Sequence, residues 1–114
     1  MEKTCSLKKN EAFLRVYRKG ERVHHKYFVL HAIPNNLDKN RLGIKTGKKI
    51  AGAVGRNRIK RLVREAFRLN ENKPSVFCDY VLVAKEGADS LDSLHKVSEA
   101  LTLLLGRLKV GRGK

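Results

Sequence analysis

The sequence predicts one α/β domain with the element order α-β-β-β-α-β-α. Two kinds of periodicity carry that expectation. Apolar residues recur at three- and four-residue spacing in three segments, as in helices that bury one face. The stretches between them alternate, or run as short β-branched blocks, as strands do. A length of 114 residues with a hydrophobic fraction of 41 % suits a single core.

The first helix is expected from Asn10, a good capping residue, to Gly20, a good residue just past a helix end. Phe13, Val16 and Tyr17 fall at i, i+3 and i+4 and make its apolar face. From Arg22 to Ile33 the chain alternates. Tyr27, Val29, His31 and Ile33 share one face, and Phe28, Leu30 and Ala32 share the other. A break near His25 or Lys26 divides this stretch into two strands. Residues 34–40 have the composition of a loop, 41–46 that of a third strand, and 47–55 that of a connection containing Gly and Lys. Residues 56–69 are the clearest helix. After a polar connection at 70–74, residues 76–84 predict a strand rich in β-branched and aromatic side chains. The last helix is expected from about Ser90 to Leu108, capped by Asp89 or Ser90. Leu91, Leu94, Ser98, Leu101, Leu105 and Leu108, with Leu104 beside them, form its core stripe. The chain end, from about residue 109, is expected to fray.

Charge narrows the function. The chain carries 26 Lys+Arg against 11 Asp+Glu, a formal net charge of +15. Residues 39–68 hold 11 basic residues and one acid, Glu65, whereas residues 69–114 hold 7 basic and 6 acidic ones. Such a one-sign field opposes compaction by self-repulsion and points to a polyanionic partner, RNA or DNA. No apolar run approaches the roughly 18 to 20 residues of a membrane span, and the N-terminal stretch lacks the apolar segment of a secretory signal. Cys5 and Cys78 are too few for a disulfide framework, so a cytoplasmic location is expected.

Within the basic segment the angles matter. With Arg56 at zero and about 100° per residue, Ile59, Leu62, Val63, Ala66 and Phe67 fall in an apolar arc from roughly 240° to 20°. Asn57, Lys60, Arg61, Arg64 and Arg68 fall between roughly 40° and 140°, and Arg58 lies apart near 200°. The like-charge pairs Arg56–Lys60, Lys60–Arg64 and Arg64–Arg68 each disfavour an isolated helix by a few tenths of a kcal/mol. A solvated charged face would carry acids among the bases; this one reads as kept for a partner, and the Lys48-Lys49 pair just upstream extends it.

These residues also carry a family resemblance. Lys48-Lys49-Ile50, followed by Ala53-Val54-Gly55-Arg56-Asn57-Arg58-Ile59-Lys60-Arg61-Leu62-Val63-Arg64-Glu65-Ala66-Phe67-Arg68, resembles the signature of the bacterial ribonuclease P protein subunit. Its centre is an Arg-Asn-Arg motif opening a basic helix. Leu7-Lys8-Lys9-Asn10, Phe13, Val16-Tyr17 and Gly20 are similar to that family's first helix. Phe28-Val29-Leu30, Arg41-Leu42-Gly43-Ile44 and Asp79-Tyr80-Val81 are similar to its strands. The resemblance spans about residues 7 to 105.

It implies a two-layer α/β sandwich, a ribosomal-protein-like domain over residues 1–114 with a left-handed β-α-β crossover through the basic helix. It also implies 5′ maturation of tRNA by a ribonucleoprotein. By the same resemblance, the RNA subunit is expected to perform the Mg2+-dependent hydrolysis, and the protein to bind both the catalytic RNA and the 5′ leader of precursor tRNA. By the resemblance, Lys48, Lys49, Arg56, Asn57, Arg58, Lys60, Arg61, Arg64 and Arg68 meet the catalytic RNA. Their chemistry is phosphate neutralisation, with Arg able to form bidentate contacts. Arg58, off the main arc, is the first candidate for a structural role. Phe13, Tyr17, Val29 and His31 are expected to line a cleft in which aromatic rings stack on single-stranded leader bases. Two residues depart from the family pattern: His31 stands where an aromatic such as tyrosine is typical, and Gly47 where a serine is common.

The remaining chemistry predicts a protein without its own active site, metal or cofactor. His24, His25, His31 and His95 show no metal-ligand spacing, and neighbours such as His24-His25 on a strand point to opposite faces. Cys78, in a strand, reads as a small buried hydrophobe. Two alternatives share the charge: a ribosomal or general structural RNA-binding protein, and a DNA-binding module using residues 56–69. The second lacks a helix-turn-helix, because strands precede the basic helix; no DNA and no membrane are expected as partners.

Overall fold

The computed structural model describes residues 4–69 and 77–109. Its elements are β1 (Thr4–Ser6), α1 (Asn10–Lys19), β2 (Glu21–His24), β3 (Phe28–Pro34), β4 (Asn40–Lys45), α2 (Ala53–Leu69), β5 (Cys78–Ala84), a single 3-10 turn (Ala88–Ser90) and α3 (Leu94–Arg107). The predicted order is present, preceded by a short strand. The five strands form one mixed sheet in the order β1-β4-β5-β3-β2. β1 and β5 flank β4 in parallel, and β3 runs antiparallel to both β5 and β2. β4 and β5 are therefore parallel neighbours joined through α2, a β-α-β crossover.

Alternation along the strands decides what each face of the sheet meets. Phe28, Leu30 and Ala32 of β3 join Leu42, Tyr80 and Leu82 beneath α2 and α3, where Ile59, Val63, Ala66 and Phe67 meet Val97, Ala100, Leu101 and Leu104. This is the main core and the main two layers. The opposite face carries Val29, His31 and Ile33, and only α1 lies on it, burying Val16 against Leu7 and Val81. Arg22, His24 and Lys45 on that face stay exposed, because one short helix cannot cover five strands.

Several expectations are corrected in detail. The cap of α1 is Lys9 rather than Asn10, and its side chain makes no capping bond. Gly20 ends α1 in an extended conformation (φ −82°, ψ 161°), so its small size serves packing: a Cβ there would stand 2.5 Å from the Val16 carbonyl and 2.8 Å from that of Ala32. α2 begins at Ala53, three residues before the first arginine. α3 begins at Leu94 behind a Ser93 cap that accepts the Lys96 N–H at 3.3 Å, whereas Asp89 and Ser90 form the 3-10 turn. Its deepest residues, Val97 and Ala100 among them, centre the stripe slightly away from Ser98 and Leu105. Tyr27 falls between β2 and β3 and packs with the main core, its ring against Gly87, which holds φ +92°. Lys109 is held by the Glu21 carboxylate, which accepts its N–H at 2.8 Å. The expected connection at 70–74, the strand start at Val76 and the rest of the tail lie outside the described residues.

Candidate nucleic-acid interface

α2 is a 17-residue helix whose apolar arc is consumed by the core. Asn57, Arg61, Arg64 and Arg68 are exposed on its other side, with Lys60 half-exposed between them, as the angular arithmetic predicts. Arg68 pairs locally with Glu65 at 2.7 Å, so the cationic density directed outward is greatest in the middle of the helix, at Lys60, Arg61 and Arg64. Lys48 and Lys49 are exposed in the connection before the helix. Arg56 is tied back to that connection by an Nη1 bond to the Ala51 carbonyl at 3.1 Å. Arg58 does something else: its Nη2 donates to the Asp89 carbonyl at 3.2 Å and its Nε is buried. It ties α2 to the 3-10 turn, as its angle near 200° suggested.

The second candidate site lies on the open face of the sheet, where strand register arranges side chains into three transverse rows. The first holds Cys5, Arg41, Asp79 and Ile33; the second Gly43, Val81, His31 and Arg22; the third Lys45, Val83, Val29 and His24. α1 crosses the strands above the first two rows: Phe13 sits on Gly43 of β4, Arg15 approaches Asp79 of β5, and Tyr17 meets His31 of β3. The third row is left as an open lane. Its floor is the half-buried pair Val29 and Val83, flanked by exposed Lys45 and His24. The Phe13 and Tyr17 rings wall one side.

The wall is held in place from below. Tyr17 and His31 meet edge to face with ring centroids 4.9 Å apart, and the Lys45 Nζ lies 5.3 Å from the Phe13 ring centre. Burial, and then the charges of Arg22 and His24, hold the His31 imidazole below the usual histidine pKa. It is therefore neutral at pH 7, with one nitrogen donating and one accepting. Burial also raises the Tyr17 phenol, which stays protonated. The four expected cleft residues thus come together; of the nine residues expected on the basic surface, Arg58 turns inward, Arg56 is tied back to the connection, and the other seven face outward. A half-buried aromatic wall beside an open apolar floor and a separate cationic helix face is an arrangement for a flexible polyanion with planar bases.

A sequence model of the family Ribonuclease P matches residues 1–109. The chain belongs to the ribonuclease P protein family. It is 41 % identical over 110 residues to the ribonuclease P protein component of Natranaerobius thermophilus, covering 96 % of this chain and 95 % of that one. Against the component of Shouchella clausii it is 40 % identical over 111 residues, with 96 % and 90 % covered. The RNase P protein structure of Staphylococcus aureus superposes with a TM-score of 0.82 at 34 % identity, covering 93 % of this chain and 96 % of that chain. The RNase P protein of Thermotoga maritima gives 0.81 at 31 %, covering 91 % and 97 %. This is a protein component of a ribonucleoprotein endoribonuclease, which sets aside the ribosomal and DNA-binding alternatives.

For a ribonuclease P protein, the side chains left unassigned by the sequence are the polar ones around the cleft. Lys45, Arg22 and His24 occupy the same face as Val29 and His31, and Val83 completes the floor. Val83 left no signal, because β5 is apolar on both faces and gives no alternation to assign. Lys45 could have been found by extending the Arg41–Gly43–Lys45 alternation. Among the described residues, no group of three or more His, Cys, Asp or Glu side chains is placed to hold a metal ion. Cys78 is buried, and its thiol is pushed up to about 11, chiefly by burial, so it is not a reactive thiolate at pH 7.

Proposed function

We propose that this protein binds the catalytic RNA of ribonuclease P through the outer face of α2 with Lys48 and Lys49, and takes the single-stranded 5′ leader of precursor tRNA into the lane beside α1. The hydrolysis is carried by the RNA and its Mg2+ ions, and the protein supplies affinity and position. The cytoplasm, where tRNA precursors arise in bacteria, is the proposed compartment.

One juxtaposition carries this reading. Lys45, at the mouth of the lane, is the last residue of β4, and the connection that follows it leads through Lys48 and Lys49 into α2. The aromatic-walled lane and the cationic helix therefore meet at one end of the sheet. A leader in the lane is delivered beside the RNA held by the helix. Arg64 and its neighbours neutralise phosphates there, while Phe13 and Tyr17 offer rings to unpaired bases with little demand on sequence.

The test is reconstitution with a bacterial ribonuclease P RNA at low Mg2+, following removal of a 5′ leader. The protein is expected to raise the rate sharply, and more so for precursors with longer leaders. Equal rates with and without protein across a salt series would contradict the proposal.

A further inference from the structure

We propose that Arg15 and Arg41 form an RNA phosphate site on the side of α1 that faces away from the leader lane, with Asp79 as the buried carboxylate that orients them. The proposal rests on the RNA-binding reading above and adds a contact outside both surfaces assigned there.

Asp79 is fully buried, yet it lies in the first row of the open sheet face. Arg41 donates through Nε to Oδ1 at 2.7 Å and through Nη2 to Oδ2 at 2.6 Å, a bidentate pair that by itself neutralises the carboxylate. Asn35 Nδ2 donates to Oδ1 at 3.0 Å, and Asn35 is itself fixed, accepting the Leu37 N–H and donating to the Lys39 carbonyl. A second guanidinium, that of Arg15, nevertheless stands 3.7 Å away. Two guanidiniums thus share one carboxylate. Their side chains are 47 % and 35 % exposed, against 1 % for Asp79.

That geometry leaves a surplus positive charge at a fixed, solvent-facing spot. Arg41 commits one edge to Asp79, and its Nη1 donors remain for a ligand. Glu11, one helical turn before Arg15, forms none of the ion pairs among the described residues and does not neutralise it. Like charges brought together around a single buried carboxylate are complemented by an anion carrying several acceptor oxygens, which a phosphodiester supplies. The site is separate from the lane. Arg41 and Lys45 are four residues apart on β4, about 13 Å, and the Phe13 ring seated on Gly43 closes the sheet surface between them. A strand lying in the lane cannot reach Arg41 along the sheet, so the phosphate comes from a segment passing on the far side of α1. It belongs either to the catalytic RNA or to the body or distal leader of the precursor.

The test uses the reconstituted holoenzyme and Arg15→Gln, which removes an exposed side chain held by one long ion pair and leaves the Arg41–Asp79 pair intact. Arg18→Gln, exposed on the same helix, reports the effect of merely losing a charge. Affinity for the catalytic RNA alone, and for precursor tRNA by the holoenzyme, is measured across a salt series. Arg15→Gln is expected to weaken binding of one of the two RNAs about threefold to tenfold beyond Arg18→Gln. The salt slope for that RNA should fall by about one contact, and the RNA affected identifies the source of the phosphate. Equal effects of the two variants, or none from Arg15→Gln, would overturn the proposal. Arg64→Gln in the same series separates that result from failure of the RNA-binding reading, since that reading requires Arg64→Gln to weaken the catalytic RNA.

Discussion

The ring of Phe13 occupies the space that any side chain at Gly43 would need: a Cβ there would stand 2.3 Å from the ring's Cζ and 2.7 Å from Cε2. A helix residue expected to wall the cleft is thus set by a glycine on the third strand of the predicted order. Gly43→Ala is predicted to drive the ring out of this seat, costing about 1 to 3 kcal/mol of stability by overpacking. It should also lower the preference for precursor over mature tRNA. Thermal unfolding and paired binding assays check the two effects. An alanine variant with unchanged melting and unchanged discrimination would refute the seat.

Lys45 lies at the lane's mouth with its ammonium 5.3 Å from the Phe13 ring centre. Lys45→Ala is predicted to reduce the salt slope of precursor binding by about one and to change stability by no more than about 0.5 kcal/mol. Salt-dependent binding and a melting curve on the same preparation suffice to check it.

Arg58 separates from its neighbours on α2 because its guanidinium turns inward to the Asp89 carbonyl. Arg58→Ala is predicted to destabilise the fold by about 1 to 2 kcal/mol, through the lost charge-assisted bond and the released 3-10 turn. Its effect on RNA affinity should vanish once binding is corrected for the folded fraction. Denaturant unfolding in parallel with binding distinguishes this from a direct contact.

Asp79 predicts a pH dependence with a definite sign. Burial alone would raise its pKa, but the hydrogen bonds from Arg41 and Asn35, with the charges of Arg41 and Arg15, hold it below the usual carboxylate range. A depressed folded value means that stability is fully present above the unfolded value of about 3.9 and is lost as pH falls through the folded value. Asp79→Asn should therefore cost roughly 2 to 4 kcal/mol near pH 7, toward the low end for a broken buried pair because Arg41 keeps contact with water. The gap between variant and native protein should narrow below about pH 4. Melting curves from pH 7 to pH 2.5 report it, and a constant gap over that range would contradict the assignment.

How much of this was legible in the sequence follows from where the forces act. α2 was legible on both faces, because helical periodicity separates Ile59, Val63 and Phe67 from Arg61, Arg64 and Arg68 without knowledge of any partner. The two faces of β3 were legible for the same reason at period two. β1 was not, since three residues carry no period and Thr4–Ser6 is a strand only because β4 offers it an edge. The start of α3 was misplaced because Asp89, Ser90 and Ser93 are all competent caps. The Ser90 hydroxyl bonds the Gly87 carbonyl inside the 3-10 turn and leaves Ser93 to cap. The Arg41–Asp79 pair spans 38 residues and is created by the parallel register of β4 and β5, which no local pattern encodes.

In the proposed function, two surfaces on one small fold do different work. Arg64→Ala and Phe13→Ala, each in reconstituted holoenzyme, test it most directly when binding of the catalytic RNA and the precursor-to-mature affinity ratio are measured together. Arg64→Ala is expected to weaken binding of the catalytic RNA, with a salt slope smaller by about one, and to leave the ratio unchanged. Phe13→Ala should leave the catalytic RNA untouched and reduce the ratio about fivefold or more, as loss of a stacked base requires. The same defect from both variants would contradict it.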